Sequence, residues 1–223
     1  MIFRNGFIFF CILIFSSIFN GCSSNNNQEI TKLNDPSLIP SGKEKLFRLT
    51  GGNSPKIQVK RNGKIFEFAA RLNEAFFSQD ELRNLSPEVI KLNSTHDEFF
   101  FSLRNGTRVI FALGSLTVFE GSLQMEFRKV DGVFKVKIPG AILGIRGTRF
   151  DLDVSPEKSI VVLHEGKISI ESTGKEVSLN QGETVSISPD GSHIDVKQSS
   201  EPTNNLPDVF RKLPPEKLKE SIR

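Results

Sequence analysis

Gly140-Ala-Ile-Leu-Gly-Ile-Arg-Gly-Thr-Arg-Phe-Asp-Leu-Asp-Val154 joins a glycine-interrupted apolar segment to a strictly alternating one. A period of two sends Phe150, Leu152 and Val154 to a buried face and Asp151 and Asp153 to water, the pattern of a half-buried strand. Just upstream, Gly144 and Gly147 stand three residues apart among Ile and Leu, as expected where a backbone bulges, turns a corner or passes close to another backbone. Arg149 shares a face with Asp151. An exposed ion pair between them, worth at most about 1 kcal/mol, explains their company without a binding site. Two carboxylates two residues apart on a solvated face are also what any amphipathic strand carries, so Asp151 and Asp153 are read as surface and no metal is assigned. If this strand does more than support the fold, Arg149, Asp151 and Asp153 form the candidate interaction face.

Working outward, glycine recurs at 166, 174, 182 and 191 with apolar alternation between, through Ile168 and Ile170, Val177 and Leu179, Val185 and Ile187. Short strands at this spacing indicate an all-β domain of antiparallel strands and hairpins, arranged as a sandwich, a barrel or a short solenoid. Phe134, Val136 and Ile138 alternate with Lys135 and Lys137, a strand with a solvated lysine face rather than a nucleic-acid patch. Arg61-Asn-Gly63 and Arg104-Asn-Gly106 each stand between apolar runs, and Asn-Gly in that setting predicts a hairpin at both places. Ser78-Gln-Asp-Glu81 fits a capping box ahead of Leu82 and Leu85, predicting a short helix. The domain is therefore expected to hold at most one or two short helices.

An ordered set of motifs runs through the same region: Leu103-Arg-Asn-Gly-Thr-Arg-Val109, Ala112-Leu-Gly-Ser-Leu-Thr-Val118, Gly147-Thr-Arg-Phe150, Leu163-His-Glu-Gly-Lys-Ile168 and Leu179-Asn-Gln-Gly-Glu183. In order and spacing these resemble the FecR-like periplasmic domain. The resemblance spans about residues 99–187 and rests on Gly144, Gly147, Thr148, Arg149, Phe150, Glu165, Gly166, Gly182 and Glu183. It implies an envelope β domain that meets another protein. In the transporter-regulating members a cytoplasmic tail handles a sigma factor and one helix crosses the inner membrane. This chain shows neither, so the resemblance is to envelope proteins carrying the domain without that half.

At the N-terminus, residues 1–21 carry Arg4 as their sole charge and an apolar or small run from Phe7 to Phe19. That run is well short of the ~20 residues needed to cross a bilayer and reads as a signal-peptide core. Asn20-Gly21-Cys22 then leads into Ser-Ser-Asn-Asn-Asn and resembles a lipobox, which makes Cys22 the expected acylation site. Phe19 and Asn20 depart from the usual small residues. Cys11 lies inside the leader, so an exported domain of about 200 residues has no disulfide or thiol chemistry and stands on packing alone. The expected layout is a leader at 1–21, an acylated Cys22 and polar linker at 22–54, a β domain at 55–198, and a Pro-rich polar tail at 199–223. Because Ser23 and Ser24 follow the Cys rather than Asp, the outer membrane is the expected destination by analogy with known sorting signals.

Catalytic chemistry finds no foothold. Lys plus Arg number 29 against 26 Asp plus Glu, interspersed, so no polyanion partner is indicated. His96, His164 and His193 are far apart and read as exposed histidines; Gly140, Gly144 and Gly147 lack the spacing and the Lys-Ser or Lys-Thr of a phosphate loop. Neither Trp nor Tyr occurs, removing the rings on which sugar platforms usually rest. The expectation is a non-enzymatic, cofactor-free envelope lipoprotein held by its N-terminal acyl chains, whose domain serves protein interaction, sensing or assembly. A surface-exposed lipoprotein binding host molecules or polysaccharide is the alternative, and a cell-wall enzyme ranks third.

Overall fold

The computed structural model describes residues 44–128 and 132–198. The leader, Cys22, most of the linker and the Pro-rich tail lie outside the described residues. The strands, in chain order, are β1 (Lys45–Gly51), β2 (Lys56–Arg61), β3 (Lys64–Ala69), β4 (Ala75–Phe77), β5 (Glu81–Asn84), β6 (Ile90–Ser94), β7 (Phe99–Leu103), β8 (Arg108–Ala112) and β9 (Ser115–Phe127). They continue as β10 (Phe134–Ile138), β11 (Ala141–Ile145), β12 (Arg149–Val154), β13 (Ser159–Glu165), β14 (Lys167–Ser172), β15 (Lys175–Asn180), β16 (Glu183–Ile187) and β17 (Ile194–Gln198). The protein is all-β, with no helix among the described residues.

The strands form one large mixed sheet, not closed into a barrel, that folds over on itself at β9. The front layer runs β4-β1-β6-β7-β9-β12-β13-β16-β17, and the back layer runs β3-β2-β5-β8-β9-β10-β11-β14-β15. Residues 115–120 of β9 pair in the back layer with β8 and, in parallel, with β10, whereas residues 121–127 pair in front with β7 and β12. The bend falls at Gly121, where φ is +99° and a Cβ would run into the Thr107 backbone, so only glycine fits. Beyond β9 the chain makes one hairpin in back and one in front, twice over: β10–β11, β12–β13, β14–β15 and β16–β17.

The inward faces of both layers share one core. Phe47 of the front lies 4.7 Å, centroid to centroid, from Phe111 of the back, and Phe127 lies 5.1 Å from Phe134. Phe150, Leu152 and Val154 all point into it, as alternation along β12 requires. Burial of each such side chain contributes roughly 1.5–3 kcal/mol. On β10, Phe134, Val136 and Ile138 are buried and Lys135 and Lys137 exposed, also as expected.

Three expectations need correction. The first Asn-Gly is a two-residue hairpin turn, with φ of +50° at Asn62 and +77° at Gly63. The second is not: β7 pairs with β6 and β9, β8 pairs with β5 and β9, and Arg104–Thr107 carries the chain from the front layer to the back. Asn105 Nδ2 donates to Ser86 O at 2.7 Å, which anchors that crossing. The expected helix after Ser78 is absent, and Glu81–Asn84 is strand β5, buried at Leu82 and Asn84. Asp80 does not cap. Its carboxylate accepts from Arg61 Nε at 2.8 Å, from Arg61 Nη2 at 2.5 Å and from Phe77 N at 2.8 Å, with both side chains almost fully buried. Finally, Leu46-Phe-Arg-Leu49, inside the expected linker, belongs to β1, and Phe47 and Leu49 sit in the core.

Candidate functional site

The motif turns from Gly147 to Glu183 collect on one rim, where the chain passes between layers; the Leu103–Val109 crossing lies on the opposite rim. Gly147, at φ +61°, lies in the crossing from β11 to β12; Gly166, at +90°, carries β13 to β14; and Gly182, at +81°, carries β15 to β16. These three turns touch. A Cβ on Gly166 would come within 2.6 Å of the Gly147 carbonyl, and Gly182 N donates to Leu163 O at 2.9 Å. Thr148 is buried beside them. Glu183 secures its own crossing by accepting from Asn180 N at 2.7 Å and from Gln198 Nε2 at 2.9 Å. Gly144 is not in a bulge. It sits mid-strand in β11, opposite Lys135 and Ser169, where a Cβ would collide with the Ser169 hydroxyl. The motif is therefore first a device for taking the backbone across the sandwich.

The outward face of the front layer carries Arg149, Asp151 and Asp153, but not in the arrangement expected. Arg149 does not pair with Asp151; its Nη2 donates to Glu165 Oε1 at 2.6 Å, an exposed contact across the β12–β13 bulge. Asp151 is not in water. Only 4% of it is exposed, between Gln124 of β9 and Val162 of β13. Its Oδ2 lies 2.8 Å from His164 Nε2, so His164, expected on an exposed turn, is a half-buried strand residue. Asp151 Oδ1 is buried without a hydrogen-bond partner among the described residues. Asp153 is half-buried and accepts from the Ser122 hydroxyl. Arg104 completes the group: burial pushes its guanidinium below the usual range, and Asp151 and Asp153 pull it back up.

This face is a band of polar side chains fixed by one another across three strands, β9, β12 and β13, with Arg104 joining from the crossing after β7. Arg149 and Asp153 reach solvent; Asp151 does not, and acts from beneath. Among the described residues no three His, Cys, Asp or Glu side chains converge to hold a metal ion. His96 and His193 are exposed at turns, as expected.

No protein-family model matches the chain, and neither does any curated protein. Two crystal structures, each described as a candidate anti-sigma factor from Parabacteroides distasonis ATCC 8503, are similar to part of this chain. They are 18% and 17% identical, with TM-scores of 0.46 and 0.47. Each comparison covers 53% of this chain and 59% of the other, so less than two-thirds of those chains' length is matched.

Proposed function

We propose that this chain is a non-enzymatic, lipid-anchored protein of the bacterial cell envelope whose FecR-like β domain docks another envelope protein through the outward face of its front layer. The observation that carries the reading is the band around β12. Arg104, Asp151, Asp153 and His164 are held by mutual contacts before any partner arrives, so little ordering remains to be done on binding. Asp151 gives that band its rigidity from below, while Arg149, Glu165 and Asp153 present the charges a partner meets. The order of motifs from 103 to 183 supports the FecR-like assignment, and the leader ending at Gly21-Cys22 supports the anchor. The outer membrane is the destination that Ser23 and Ser24 favour.

Affinity capture with the full chain from detergent-solubilised envelope, compared with Arg149→Glu and Asp153→Lys, tests the docking face. One discrete partner retained by the parent and lost from both variants, with unfolding temperatures unchanged, supports it. Equal recovery by all three proteins counts against it.

A further inference from the structure

The rim that carries the motif turns has a second property. On its back-layer side Leu113 is 74% exposed at the tip of the β8–β9 turn and Val133 is 58% exposed just before β10. The two are neighbours, because Lys135 N donates to Gly114 O at 3.0 Å and Lys135 lies opposite Ser115. Pairing of Phe134 with Ile145, and of Ile145 with Ile168, then sets Arg146 and Lys167 next in line. Leu113, Val133, Lys135, Arg146 and Lys167 are all exposed. The acidic residues of the rim, Glu44, Asp97, Glu98, Glu165 and Glu183, lie on its front-layer side, and three of them, Asp97, Glu165 and Glu183, are engaged by Arg48, Arg149 and Gln198. Apolar tips flanked by cations are what an anionic lipid surface accepts: the tips enter among the headgroups while the cations meet phosphates.

Where the chain enters the domain selects this occupant over a soluble partner. Lys45 of β1 lies opposite Phe77 and Phe47 opposite Ser94, which places the first described residues on this same rim. Residues 22–43 link it to Cys22. Twenty-two residues reach at most about 75 Å, which keeps the rim within that distance of Cys22. The rim is thereby held at high effective concentration near whatever Cys22 is anchored in, and a contact too weak to act alone becomes populated. We infer that the Leu113–Val133 rim rests on an anionic lipid surface, orienting the domain with its opposite rim, around Ser155–Lys158, outward. This rests on the anchored reading above.

The full chain, purified from membranes and reconstituted in phosphatidylethanolamine–phosphatidylglycerol vesicles, tests it with an environment-sensitive probe at Leu113→Cys or Val133→Cys and a control at Glu157→Cys on the far rim. Nitroxide-bearing lipid is expected to remove more than about half the fluorescence at Leu113 and Val133 and to leave Glu157 unchanged. Quenching at Leu113 and Val133 no greater than at Glu157 overturns the inference. So does protection of those positions that appears only when a second protein is added. The anchor is read separately, from whether the Cys22→Ser chain leaves the membrane fraction. Release of that variant with unquenched probes in the anchored chain keeps the anchor and discards the rim contact; retention of the variant with quenched probes does the reverse.

Discussion

Asp80→Ala should be the most damaging single polar change in the domain. Asp80 is fully buried and answers three donors, Arg61 Nε, Arg61 Nη2 and Phe77 N. Arg61 in turn donates to Ala75 O at 3.2 Å and lies 4.7 Å from the centre of the Phe77 ring, so it cannot swing into water without breaking that end of the sandwich. Removing the carboxylate leaves a buried guanidinium uncompensated, at a cost of about 3–5 kcal/mol. In a domain of this size each kcal/mol lowers the melting temperature by about 2–4 °C, giving an expected fall of about 6–20 °C. Replacing both partners with apolar residues, as in Arg61→Met with Asp80→Leu, should cost less than either single change, because no charge is then stranded. Urea unfolding followed by circular dichroism, with the denaturant slope unchanged, measures both. Single variants within about 1 kcal/mol of the parent, or a double variant as unstable as the two singles added together, would refute the reasoning.

Three other expectations concern the turns and the charged face. Phe150→Ala leaves a cavity beside Phe127, at 6.1 Å between ring centres, and should cost about 3–5 kcal/mol in a calorimetric scan, whereas Arg149→Ala loses one exposed contact and should cost no more than about 0.5 kcal/mol. Gly191→Ala should cost about 1–3 kcal/mol by the same measurement, since Gly191 has φ +72° and a Cβ there would strike the Gly140 carbonyl and the Ser172 hydroxyl. The Ser188 hydroxyl, followed by Ser192 N–H and O–H, holds the Asp190 carboxyl down at about 2 instead of 3.8. The stability it contributes is therefore complete above the unfolded value and is lost as pH falls through about 2. An NMR titration should place the Asp190 midpoint near 2 and move it upward in Ser188→Ala.

How far the sequence could be read follows from what each signal encodes. Alternation along Phe150–Val154 and Phe134–Ile138 names the buried face because the side-chain period of a strand is two, and both segments lie as expected. Alternation does not say what covers the opposite face. Asp151 is on the outward side as its position requires, yet it is flanked by Val162 and His164 of the hairpin partner β13 and, on its other side, by Gln124 of β9, a neighbour that only the folded pairing brings there. Asn-Gly encodes a tight turn but not whether the flanking strands pair. At Asn62-Gly63 they do; after Leu103 the chain leaves the front layer instead, because β9 already occupies the free side of both β7 and β8. The capping pattern at Ser78–Glu81 failed because Gln79 lies in the left-handed region at φ +71°, Glu81 pairs with Arg108 of β8, and Leu82 has a place in the core. Gly166 and Gly182 are legible as glycines in a regular rhythm, and Gly147 as a glycine where a strand turns a corner. That they meet on one rim depends on the two-layer path, which only the folded pairing reveals.

Photo-cross-linking in intact cells tests the docking role most directly, with the cross-linker placed in turn at Glu126 and Ile160 on the outward face of the front layer and at Gln58 and Thr117 on the outward face of the back. A single cross-linked species of one size from Glu126 and Ile160, absent from Gln58 and Thr117 and lost when Arg149→Glu is added, is the expected result. Cross-links of equal yield from both faces, or none from the front, would contradict it.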